Sequence, residues 1–216
     1  EISLGLVGSE MCIRDSPLTE LHTLLNKDPQ TETLRHTQAI ANLLFQFGGM
    51  PFVDLAHLEK SNLNQGLLKY NRMKTGTPMS VEIIDSAYEL LSLLRNNHSS
   101  SYSDRPDYLF HILSGEYKRG EEGAYREYQS ALRKFNNHLK SLSRKLRLHS
   151  SVTSYTLRHS WATTAKYRGV PIEMISESLG HKSIKTTQIY LKGFELEERT
   201  KVNKQNYYYV RRFKIA

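Results

Sequence analysis

The chain has 216 residues, of which 38% are hydrophobic and 24% charged, a globular composition that is neither collagen-like nor disordered. One cysteine, Cys12, excludes a disulfide scaffold and a Cys-based zinc site, and no apolar run approaches the roughly 18 residues of a membrane span. Thirty Lys and Arg against 22 Asp and Glu leave a net charge of +8, an excess that favours a polyanionic partner, usually nucleic acid.

Glu1–Ser16 (EISLGLVGSEMCIRDS) has neither helical nor strand periodicity and lacks the pattern of a signal peptide. It reads as a non-native or disordered segment, with 17–32 as a linker. Thr33–Phe47 carries Leu34, Ala41, Leu44 and Phe45 at helical spacing, and Gly48-Gly49 ends that helix. Phe52–Leu58 reads as a short second helix. Gly66–Arg72 and Pro78–Ile84 read as two strands joined by the turn Met73–Thr77, with Gly76 supplying the permissive residue. Ser86–Arg95 is predicted as a helix and Asn96–Pro106 as a polar loop.

The longest predicted helix is Glu121–Leu148. Ala124, Tyr128, Leu132, Phe135, Leu139, Leu142 and Leu146 recur at steps of four and three, one apolar stripe. Arg126, Arg133, Lys140 and Arg147 recur every seventh residue, nearly two turns, so four cations are expected in line on another face. Three helices follow: Thr153–Arg168 closed by Gly169, Pro171–Leu179 closed by Gly180, and Ile184–Leu191 capped by Ser183. Arg199–Ala216 holds six cations and no acids, and its Tyr207–Val210 run reads as a terminal strand.

The three short helices have the size of a helix-turn-helix, but that reading leaves Tyr155, Arg158, His181 and Tyr190 unexplained. SYTLRHSWATTA (Ser154–Ala165) followed by SLGHKSIKTTQIYL (Ser178–Leu191) resembles the catalytic core of phage-integrase-like tyrosine recombinases, site-specific recombinases of mobile elements. GMPFVDLAHL (Gly49–Leu58), YNRMKTGTP (Tyr70–Pro78) and YLFHIL (Tyr108–Leu113) support the likeness, which runs from about Thr33 to Phe194. The specific element is LRH paired with a downstream LGH and a tyrosine nine residues later.

The resemblance implies a mostly helical α+β catalytic domain over residues 33–198, with a small antiparallel sheet and a basic tail over 199–216. It implies metal-free, cofactor-free transesterification of double-stranded DNA through a 3′-phosphotyrosyl intermediate, and a tetramer on synapsed sites in the bacterial cytoplasm. Tyr190 would be the nucleophile, splitting one hard displacement into two easier ones. Arg158 would hold the non-bridging oxygens with its planar donor fork. His181 would donate to a phosphate oxygen or assist proton transfer. Lys74, in the hairpin turn, would protonate the leaving 5′-oxygen. His159, beside Arg158, reads as structural and pointing elsewhere.

Two positions depart from the family pattern. Tyr155 stands where a histidine is usual; a phenol still donates a hydrogen bond. The first catalytic arginine is missing: no arginine lies between Arg35 and Arg72, Pro51 takes its place, and Gly48 stands where related integrases often carry another. If it matters as an oxyanion donor does, its loss costs on the order of 2.7–4 kcal/mol of barrier. Activity is then impaired, or depends on a substitute cation such as Arg72. The alternative is a DNA-binding remnant without catalysis. A type IB topoisomerase shares the chemistry but resembles the chain less, and a metallo-nuclease lacks a cluster at ligand spacing. Integrases carry a helical DNA-binding domain ahead of this one, so 17–32 also reads as its remnant, with poor DNA affinity expected for the chain alone. Arg126, Arg133, Lys140, Arg147 and Arg72 are the expected DNA contacts. The tail is expected to pack on a neighbouring protomer.

Overall fold

The computed structural model describes residues 18–95, 106–191 and 196–212. In chain order the elements are α1 (Leu18–Asn26), α2 (Glu32–Gln46), α3 (Phe52–Ala56), β1 (Leu63–Asn64), β2 (Leu67–Asn71), β3 (Pro78–Glu82), α4 (Asp85–Leu94), α5 (Glu122–Lys145), α6 (Ser154–Tyr167), α7 (Ile172–Ser178), α8 (Ile184–Tyr190) and α9 (Leu196–Arg212). The expected architecture, mostly helical with a small antiparallel sheet, is the observed one.

Helix α2 is the centre of the larger core. It packs against α1, α4, α5 and α6. Ala39 and Ala41 are buried beside Leu43 and Leu44, and small side chains let neighbouring helices approach closely on more than one side. The apolar stripe of α5 supplies Phe135, Leu139 and Leu142 to this core, and Leu146 just past the helix joins them. Phe135 stacks on Phe52 at 4.6 Å, fixing α3 against α5. A second, smaller core forms where α6, α7 and α8 meet, from Ala162, Ala165, Ile175, Leu179 and Leu191, with Trp161, Val170 and Tyr190 against it.

The sheet is three-stranded and antiparallel in the order β1-β2-β3. β2 pairs with β3 from Leu67 opposite Glu82 to Asn71 opposite Pro78. Leu68 and Tyr70 point inward while Lys69 and Asn71 are exposed, the period-two alternation of a half-buried strand. The hairpin closes with Arg72 N–H donating to the Thr77 carbonyl and Gly76 N–H to the Arg72 carbonyl.

Three expectations are corrected. The segment 17–32 is not simply linker: α1 occupies most of it, Leu21 and Leu24 are buried in the larger core, and Glu20 accepts the His149 backbone N–H at 2.9 Å. Tyr207–Val210 is not a strand but part of α9. Aromatic residues favour strands, yet a lone strand leaves its backbone groups unpaired, whereas a helix satisfies them internally. Finally, α5 ends at Lys145, and Arg147 lies past it with φ +58°, so only Arg126, Arg133 and Lys140 share the helix. Glu1–Ser16 and nearly all of the loop Asn96–Pro106 lie outside the described residues.

Candidate active site

The two cores meet along α6, and the polar residues singled out in the sequence gather at that junction. Thr153 caps α6, accepting from the Thr156 N–H in a reciprocal capping box, and Asn136 of α5 accepts the Ser154 N–H at 2.9 Å. This pinned start fixes the rotation of α6. Tyr155 and His159, one turn apart, then face Tyr190 of α8, while Arg158 reaches the residues before α3 and the turn after α7.

Arg158 is buried, at 6% exposure. Its guanidinium donates to the Gly49 carbonyl at 2.8 Å and to the Leu179 carbonyl at 2.6 Å, and lies 3.4 Å from His181 Nε2. Burial, reinforced by Arg72, lowers its pKa to about 10. His181 follows the turn that closes α7, and its Nδ1 lies 2.9 Å from the hydroxyl of the fully buried Thr187. Burial first, then Arg158, Arg72 and Lys74, pushes its pKa down to about 4, so the ring is neutral at pH 7.

Tyr190 ends α8, and three rings surround its own edge-on: His159 at 5.2 Å, Tyr155 at 5.8 Å and His181 at 5.9 Å. Its phenol oxygen is buried. Burial raises its pKa, with Tyr155 acting the same way and Arg158 opposing. His159 therefore does not point elsewhere, as its neighbour in sequence suggested. Tyr190 crosses α6 over residues 155 and 159, one turn apart, while Arg158 reaches past to the α7–α8 side.

Lys74 is exposed in the β2–β3 turn and close enough to lower the pKa of His181. Arg72, expected either as a DNA contact or as a substitute for the missing arginine, is buried at 7% exposure and so is not a surface contact. Its Nε lies 2.8 Å from Asp54 Oδ2, and its Nη1 donates to the Leu179 carbonyl, the acceptor Arg158 also uses. Asp54 of α3 accepts the Met73 N–H at 2.9 Å, and burial pushes its carboxyl pKa up against the pull of that N–H and of Arg72. Pro51 is the N-cap residue of α3. The structure thus brings together Tyr155, Arg158, His181, Tyr190, Lys74 and Arg72. Arg126, Arg133, Lys140 and Arg147 are exposed. Sequence reasoning missed Asp54 and Thr187. The signal for Asp54 was a carboxylate inside the apolar FVDLA run, a buried charge that needs a partner; a threonine in a polar helix carries no such signal. Among the described residues no three His, Cys, Asp or Glu side chains group to hold a metal ion.

The chain belongs to the phage integrase family, whose model matches residues 18–196. It is 31% identical over 150 residues to tyrosine recombinase XerA of Pyrococcus furiosus, covering 68% of this chain and 47% of that protein. It is 31% identical over 137 residues to a probable integrase/recombinase protein of Methanocaldococcus jannaschii, covering 63% of this chain and 39% of that protein. The chain therefore spans half or less of these relatives. The crystal structure of XerA recombinase superposes on it with a TM-score of 0.60 at 21% identity, over 99% of this chain and 68% of that one. The Tn1549 transposon integrase, solved with a circular intermediate DNA, superposes with a TM-score of 0.61 at 12% identity, over 87% of this chain and 64% of that one. Both confirm the fold of a tyrosine recombinase catalytic domain.

Proposed function

We propose that this chain is the catalytic part of a site-specific DNA recombinase that cuts and rejoins double-stranded DNA through Tyr190. The observation that carries the reading is the convergence, from four separate elements, of a buried phenol, a buried guanidinium, a neutral imidazole and a turn lysine at one place. In the cleavage step the Tyr190 oxygen attacks phosphorus. A Tyr190 O–P bond forms and the P–O5′ bond breaks. The phenol proton passes to a neighbouring base, for which neutral His181 is available, and Lys74 protonates the departing oxygen. Arg158 neutralises the charge that builds on the non-bridging oxygens, and Tyr155 donates a further hydrogen bond. No metal or cofactor enters the step. A strand 5′-hydroxyl reverses it on a new partner.

The DNA lies across the exposed cations of α5 in this reading, and α9 contacts a neighbouring protomer in a tetramer on synapsed sites. Relatives named as recombinases and a neighbour solved with DNA support action on DNA. The test uses nicked suicide duplexes and a denaturing gel that reveals covalent protein–DNA adducts. The whole chain is expected to form an adduct and Tyr190→Phe none. An adduct that persists in Tyr190→Phe removes Tyr190 as nucleophile. Salt-sensitive DNA binding without any adduct favours the non-catalytic remnant, the reading that the missing arginine motivates.

A further inference from the structure

Arg72 and Arg158 come from different elements, the hairpin and α6, yet both donate to the Leu179 carbonyl. Each is more than nine-tenths buried. Two guanidinium groups so close repel one another, and each lowers the pKa of His181 as well. Asp54 is the carboxylate in contact with Arg72 and offsets one of the two charges. One positive charge is left over in a buried place, with Lys74 at its rim. Buried cations in excess are costly unless an anion joins them. The strand pattern explains how Arg72 arrives there: Leu68, Tyr70 and Arg72 are successive inward residues of β2 and its extension. Gly180 leaves room for it, since a Cβ there would stand 3.0 Å from Arg72 Nη1.

We propose that Arg72, oriented by Asp54, forms with Arg158 a two-arginine clamp on the scissile phosphate, so that the hairpin supplies the cation which α3 lacks. The clamp rests on the recombinase reading for the identity of its phosphate. Arg72 touches the non-bridging oxygens and offsets their transition-state charge; Asp54 is a positioning residue that acts through Arg72.

The test exploits phosphate charge. Adduct formation is measured on a suicide duplex, selected from a pool with randomised core as the fastest substrate of the whole chain. Its twin carries a methylphosphonate, neutral at phosphorus, at the scissile position. Arg72→Ala is expected to lose on the order of 100-fold or more on the phosphodiester and little on the methylphosphonate. Asp54→Asn follows the same split with a smaller loss. Equal losses on both duplexes, the signature of a merely structural arginine, overturn the proposal. A second arm needs no DNA and no folded variant: inorganic sulfate is titrated into the whole chain and the arginine Nε–Hε NMR signals are followed. Arg72 and Arg158 are expected to shift together with one midpoint; a shift of Arg158 alone overturns the clamp. Absence of any wild-type adduct defeats the recombinase reading, while the sulfate arm still decides the clamp.

Discussion

Gly180 adopts φ +63°, and a Cβ there would meet Met79 Sδ at 2.8 Å as well as the Arg72 guanidinium. The left-handed backbone lets the chain turn from α7 so that His181 N–H reaches the Ser176 carbonyl and the imidazole faces Arg158. Gly180→Ala is expected to cost about 1–3 kcal/mol in urea denaturation, the usual toll of a strained non-glycine conformation, and to slow adduct formation by displacing Arg72. His181 sets a pH dependence. Its folded pKa of about 4 lies below its ordinary 6.5. Between those values the unfolded chain binds a proton that the folded chain refuses. This contribution to stability is therefore intact above pH 6.5, falls as pH drops toward 4, and then levels. Denaturation midpoints measured from pH 7 to 4 should show a steeper decline in the wild type than in His181→Asn.

Elements with a strong apolar stripe were legible before folding was considered. The predicted Thr33–Phe47 and Thr153–Arg168 correspond to α2 and α6 within about a residue at each end, because caps and glycines bound them. The helix predicted as Glu121–Leu148 is shorter at its end, since Leu146 belongs to the core but Arg147 has left the helix. The tail was misread because local β propensity spoke and no sheet edge answered. Helix α9 carries Tyr207, Tyr208, Tyr209 and Val210 in the open, at 60%, 52%, 71% and 70% exposure. Large apolar side chains displayed together mark an interaction surface. Truncation after 195 is expected to leave the melting temperature nearly unchanged while reducing assembly of protein–DNA complexes in sedimentation. A large loss of thermal stability would show instead that α9 packs on its own domain.

At the scale of the whole molecule the charge is uneven. Pro17–Tyr117 carries −3, Lys118–Arg147 carries +6 and Arg199–Ala216 another +6. The first basic block includes the exposed face of α5, where Arg133 and Lys140 have no acidic partner among the described residues while Arg126 is paired with Glu122 at 2.5 Å. If this face meets phosphates, Arg133→Ala and Lys140→Ala should each reduce the slope of log K against log salt by about 0.9, and Arg126→Ala by less. Unchanged slopes would place the DNA elsewhere. Among the described residues no helix is long and apolar enough to cross a membrane.

The sequence alone determined the helical framework, the hairpin, the family and four of the side chains that converge at Tyr190. It could do so because helical periodicity, capping residues and a spaced motif are local, and local patterns survive translation into structure. Only the tertiary structure decided the direction of Arg72. A cation at a strand end looks solvent-bound in one dimension; it becomes a buried partner of Asp54 when α3 and the hairpin close on each other. Packing of α8 on α6 placed His159 against Tyr190. Those contacts join residues far apart in the chain, and their energies exist only once the two cores meet along α6.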